Sequence, residues 1–262
     1  MVSDARRMPT TALGRKMLAT ATTEEMRQLL LLGNTPRYNK VWNDMHALSP
    51  TANGLNNSQS GTSAGISQAW EFINTSTNAI GCQRIDMGTD ANSWASLHQY
   101  NNVVNIGDDI EITLESRIGF EALSTVTVEY YFNFGFGNAW NNNTAPSNSI
   151  TFRYDRATYG NDNWHAVVRK SNVETATDLG VAVVVGLTSA MQVLLIEINA
   201  DGSEVLFSID GTLQHTETGV NIPTARVSQG WQVIKTVDAT GADEFIGVDW
   251  FAFETLQAVD RA

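Results

Sequence analysis

The sequence carries a single cysteine, Cys82, in 262 residues. One thiol excludes an intrachain disulfide and a four-thiolate zinc site. It reads most simply as a small buried apolar group. Basic residues are scarce, with 16 Lys and Arg against 28 Asp and Glu and a net charge of −12. Such a balance is repelled by phosphate backbones and anionic headgroups, so neither nucleic acid nor a membrane surface is an expected partner. No apolar run approaches the length of a membrane span, and MVSDARRMPTTALGRK lacks the apolar core of a signal peptide. The expectation is a soluble chain that is not routed through secretion by a cleaved signal.

Chemistry-bearing motifs are missing as well. There is no GxSxG, P-loop, dinucleotide fingerprint or HExxH, and no repeat of fixed period. His46, His98, His165 and His215 have no metal-ligand spacing. Asn161-Asp162-Asn163 lacks the alternating acidic ligands of a calcium loop and reads as a turn. No catalytic set, metal or cofactor is therefore expected, and the chain is read as a non-enzyme.

What the chain does have is β texture. Its composition, 42% hydrophobic and 17% charged, is that of an ordinary globular protein. The stretch Met191–Thr218 is the organising element. Leu194, Ile196 and Ile198 alternate with other residues at the strand period of two. Asn199-Ala200-Asp201-Gly202 makes a turn, Val205, Phe207 and Ile209 resume the alternation, and Asp210-Gly211 is a strong hairpin signal before Leu213. Such a meander needs a second apolar layer to cover it. Further strands are expected at 66–73, 80–87, 109–118, 125–136, 149–154, 164–170, 181–185, 231–237 and 245–253. A dozen short strands with close turns indicate a mainly β protein, an antiparallel two-sheet sandwich over residues 66–262.

Residues 1–36 differ. Thr10 or Thr11 can cap one short helix carrying Leu13 and Met17, and Thr22-x-x-Glu25 has the form of a capping box. Met26, Leu29 and Leu30 then give a second helix an apolar stripe, closed by Gly33 and Pro36. Helices this short are not stable alone, so the segment reads as an assembly or attachment element. Its stripe packs against the β domain or against another chain. Residues 37–65, rich in Asn, Ser, Thr and Gly, read as a linker with a short element at 41–48.

Two surface sites are open to consideration. Asp109, Glu111 and Glu115 line one face of a strand, which is plainly a solvated outer face or, as the rival, a glycosidase carboxylate set with Glu111 and Glu115. The loop from Gly135 to Thr144 sets Trp140 among Asn141, Asn142 and Asn143. An indole face stacks on sugar C–H groups while amides bond hydroxyls, so Trp140, Asn141 and Asn143 form a candidate glycan site. Trp94, Tyr100 and Trp164 offer similar surfaces, although most tryptophans of a sandwich serve the core.

These residues carry a resemblance. Ala12–Gly33, with Gly14-Arg15-Lys16-Met17-Leu18 and Leu30-Leu31-Leu32-Gly33, resembles a helical element of tail-fibre and related appendage proteins of tailed bacteriophages, with Met17 in place of the usual Leu. The segments Ile150–Asp155, Asn163-Trp164, Ile196–Gly202, Phe207–Gly211 and Gly247–Trp250 resemble the concanavalin A-like, jelly-roll sandwich modules of phage structural proteins. The resemblance implies a virion protein assembled in the host cytoplasm. It would be a trimeric tail appendage that contacts other virion proteins and host-surface glycans. The absence of a long heptad shaft keeps a capsid decoration or head-fibre role open, and a free lectin is the third alternative.

Overall fold

The computed structural model describes residues 38–44, 55–62, 64–69, 82–99, 104–187, 190–241 and 243–257. The expected N-terminal helices, with Leu13, Met17, Met26, Leu29 and Leu30, lie outside these residues, as does Tyr100.

The described strands, in chain order, are β1 (Tyr38–Asp44), β2 (Leu55–Ser60), β3 (Ala64–Ala69), β4 (Cys82–Met87), β5 (Trp94–Gln99), β6 (Val104–Asn105), β7 (Ile110–Phe120) and β8 (Val128–Gly137). They continue as β9 (Ser149–Asp155), β10 (Asn163–Lys170), β11 (Val173–Ala182), β12 (Gln192–Ile198), β13 (Glu204–Ile209), β14 (Thr212–Thr218), β15 (Arg226–Asp238) and β16 (Phe245–Gln257). One helical turn, α1 (Arg156–Tyr159), follows β9. The strands form two antiparallel sheets. The first has the order β14-β13-β12-β7-β16-β4-β3 with β1 beside β16, and the second β11-β10-β9-β8-β15-β5-β2 with β6 beside β15.

The period of two decides which side chains meet between the sheets. In β8, Tyr130, Phe132, Phe134 and Phe136 all point inward and are at most 1% exposed. They meet Ile112, Leu114, Leu194, Ile196 and Phe207 of the facing sheet in one hydrophobic core. Edge-to-face ring pairs tie the layers, among them Phe152 with Phe207 at 5.2 Å and Trp231 with Phe251 at 5.2 Å. The central meander forms as its sequence dictates. Asp210 and Gly211 both take positive φ, 50° and 79°, as a two-residue I′ hairpin requires.

Two expectations are corrected, and one element is additional. Residues 37–65 are not simply a linker, because β1 pairs along β16 and β2 along β5 within that span. LNNSQS is polar because β2 is an edge strand, so the missing apolar alternation concealed it. The strand expected at 181–185 instead runs from Val173 to Ala182. It is the other edge of the same sheet, and Ser171 and Asn172 take φ of 51° and 68° in the hairpin leading to it. Finally, α1 is a helical turn far from the N-terminus. The Asp155 carboxylate caps it by accepting from Thr158 N–H at 3.0 Å, and Gly160 ends it at φ 74°.

Candidate functional site

Inward alternation of the aromatics leaves the intervening residues of the second sheet on its outer face. There the register aligns one polar residue per strand. Asp178 of β11 lies beside His165 of β10, His165 beside Arg153 of β9, and Arg153 beside Asn133 of β8. Asn133 in turn lies beside Gln232 of β15, and Gln232 beside Ser96 of β5, which pairs with Ser58 of β2. At about 4.8 Å per strand the row crosses about 29 Å of sheet. The adjacent row contributes Tyr131, Ile234 and Trp94.

The centre of the row is a connected network. Arg153 Nε donates to Asn133 Oδ1 at 2.7 Å and Nη1 to Glu174 Oε2 at 2.8 Å, while its guanidinium carbon lies 5.6 Å from the Tyr131 ring centroid. Tyr159 of α1 donates to Glu174 Oε1 at 3.0 Å and stacks on the His165 ring at 3.8 Å. Burial opposes the charge of Arg153, but the Glu174 carboxylate more than offsets it and raises its pKa. Burial pushes the Tyr131 and Tyr159 hydroxyls up to about 12, so both are neutral hydrogen-bonding groups at ordinary pH. Burial also lowers His165, despite the opposing pull of Asp178.

Residues 138–148 form a loop that roofs part of this face. Gln232 Nε2 donates to Asn142 O at 2.8 Å, and Arg169 Nη1 to Ala145 O at 3.1 Å. Trp140 is the underside of that roof. It is 2% exposed, and its Nε1 donates to Ser228 O at 3.1 Å. A Cβ at Gly230 would stand 2.6 Å from its ring, so glycine is what lets the indole lie against the sheet. This corrects the reading of Trp140 as a stacking platform, because its surface is already committed to the protein. Asn141 and Asn143 are exposed on the crest of the same loop. Trp164 is fully buried in the core, with Nε1 donating to Gln192 Oε1 at 2.9 Å, while Trp94 is half-buried on the outer face.

Glu111 and Glu115 belong to the other sheet. Both are on the outer face of β7, where Glu115 pairs with Leu195 and Ala252 and is 5% exposed. Positions four apart on a strand are about 13 Å apart, wider than the ~5–9.5 Å between paired glycosidase carboxylates. Asp109 precedes the strand in a left-handed turn, φ 57°. Among the described residues, no three of His, Cys, Asp and Glu converge on a metal-holding group, and no helix is long and apolar enough to cross a membrane.

Asn133, Arg153 and Gln232 are not singled out by sequence, and His165 only as a histidine without metal-ligand spacing. Each directly follows a core aromatic: Phe132, Phe152, Trp164 and Trp231. That aromatic–polar dipeptide, repeated on four strands, is the signal that marks them. It acquires meaning only once the strands are in register.

No sequence-family profile matches the chain, and neither does the sequence of any curated protein. Solved structures do match in fold. A protein of unknown function from Shewanella oneidensis MR-1 is 15% identical with a TM-score of 0.56, over 92% of this chain and 97% of that one. The carbohydrate recognition domain of Emp47p is 10% identical at a TM-score of 0.54, covering 83% and 95%. An endo-1,3-beta-glucanase from Streptomyces sioyaensis is 13% identical at 0.55, covering 84% and 97%. The glucanase corrects the expectation of a non-enzyme. A sandwich of this fold serves as an enzyme there, so missing sequence motifs are no ground for excluding catalysis here. In fold, the chain is a lectin-type, concanavalin A-like β-sandwich.

Proposed function

We propose that this protein is a glycan-recognising sandwich of a tailed-phage appendage, reading host-surface saccharides on the outer face of its second sheet. The observation that carries the recognition half is the polar row from Asp178 to Ser58, with Tyr131 and Trp94 beside it and the Asn141 and Asn143 amides at its roof. Oriented amides, a guanidinium and half-buried rings suit sugar hydroxyls and C–H faces. The attachment half rests on the resemblance of residues 12–33 to phage appendage helices, through which a trimer would join other virion proteins.

Two experiments test it. Purified protein is titrated against a panel of bacterial surface polysaccharides, and saturable binding is expected to weaken about tenfold when Asn141 and Asn143 are both replaced by Ala. Absence of saturable binding across the panel refutes the recognition half. For attachment, light scattering of the full chain and of a chain lacking residues 1–33 is expected to give a trimer and a monomer. Particles assembled with the truncated chain should lack it. Normal incorporation of the truncated chain refutes the role given to the helices.

A further inference from the structure

The arginine-bearing end of the outer face has more buried donors than acceptors. Arg153, 5% exposed, has its Nη2 buried without a hydrogen-bond partner, and Arg169 Nε is likewise without one. Between them on β9, Ser149 Oγ and Thr151 Oγ1 are also buried and unbonded. Register places these groups together, since Arg169 pairs with Ser149, Val167 with Thr151, and His165 with Arg153. Beyond Asn133 Oδ1 for Arg153 and Ala145 O for Arg169, the two guanidinium groups share one carboxylate. The Glu174 carboxylate takes the bond from Arg153 at 2.8 Å and one from Tyr159 Oη at 3.0 Å, and stands 4.0 Å from Arg169 Nε. Glu174 comes from β11, the edge strand, and is itself exposed.

Buried polar groups are normally satisfied, and unpaired donors of this kind mark a place where an acceptor-rich partner belongs. A carboxylate is already the group the site holds, and neighbouring hydroxyls are what a sugar ring uses. We propose that this cluster is a subsite for a carboxylate-bearing sugar, a uronic acid or similar acidic residue, whose carboxylate displaces that of Glu174 from Arg153 and Tyr159. The proposal rests on the glycan reading above and narrows it to acidic saccharides. It also accounts for arginine rather than lysine at 153 and 169, because the planar guanidinium binds a carboxylate and a neighbouring acceptor together.

The test is calorimetric titration of the full chain with trigalacturonate and trimannuronate, beside neutral galactotriose and mannotriose, with inorganic phosphate as a further probe. Binding of at least one acidic trisaccharide is expected, weakened about tenfold by R153Q. Because R153Q removes a buried group, the decisive variant is Glu174→Gln on the exposed edge strand. Removing the internal competitor should strengthen acidic binding about fivefold and leave neutral binding unmoved. Unchanged acidic affinity in E174Q overturns the proposal, as does phosphate binding that matches that of the acidic sugars. If neutral sugars bind and acidic ones do not, the acidic subsite is refuted and glycan recognition stands. If neither class binds, the acidic subsite is refuted, and glycan recognition is decided separately by the polysaccharide panel.

Discussion

Replacement of Trp140 separates a structural indole from a ligand platform. The side chain is 2% exposed, lies against Gly230, and bonds Ser228 O at 3.1 Å. Trp140→Ala removes the indole from a packed site, at a cost of about 3–5 kcal/mol for an aromatic-to-alanine change. Orphaning the Ser228 carbonyl adds about 1 kcal/mol. A loss of about 4–6 kcal/mol in a chain this size lowers Tm by roughly 8–24 °C. Trp140→Phe keeps an aromatic ring against the glycine and loses mainly the N–H bond, so about 1–2 kcal/mol is expected. Urea denaturation at constant m-value measures both. Any glycan binding should follow stability, being lost in the Ala variant and largely kept in the Phe variant. If Trp140→Ala stays within about 0.5 kcal/mol of the parent while abolishing binding, the indole is a platform and the packing argument is wrong.

Other perturbations test the groups around this face. Lys235 is 0% exposed, with Nζ donating to Gly88 O at 2.5 Å and Asp238 Oδ2 at 2.8 Å. Lys235→Met should cost about 3 kcal/mol, the low end for breaking a buried pair, because Asp238 also accepts from Thr240 and Gly241 N–H. Denaturation that moves by less than about 1 kcal/mol would refute it. The Lys235 hydrogen bond leads the interactions that lower the Asp238 pKa from 3.8 to about 2. That contribution is therefore present above pH ~4 and disappears as pH falls toward 2, so parent and Lys235→Met should converge over that window. Burial lowers both His98 and His165 below the ordinary 6.5. The unfolded chain then binds more protons just below that pH, and stability should decline as pH drops from 6.5. Melting curves of a doubly Gln-substituted chain should lack that decline, and its persistence would place the cause elsewhere.

The polar outer row also shows why a surface reading of the sequence went astray. Trp140 beside three asparagines has the composition of a sugar-binding loop, and Asn141 and Asn143 do reach the surface. Gly137 and Gly230, ninety-three positions apart, form the shallow bed that takes the indole inward. No local pattern links those two glycines before β8 and β15 are paired.

The sequence by itself determined the strands whose two faces differ. Tyr130, Phe132, Phe134 and Phe136, and the meander with its Asp210-Gly211 hairpin, announce themselves because alternation and turn chemistry are local properties. From them the two-sheet sandwich follows. The edge strands β2 and β11 were hidden because their core-facing sides are only weakly apolar: Leu55 alone is buried in β2, and Thr175 and Thr177 share that side of β11 with Leu179 and Val181. Only the tertiary structure decided the site. Asn133, Arg153, His165 and Gln232 stand on four strands scattered over a hundred residues, and inter-strand register, a long-range property, is what brings them into one row.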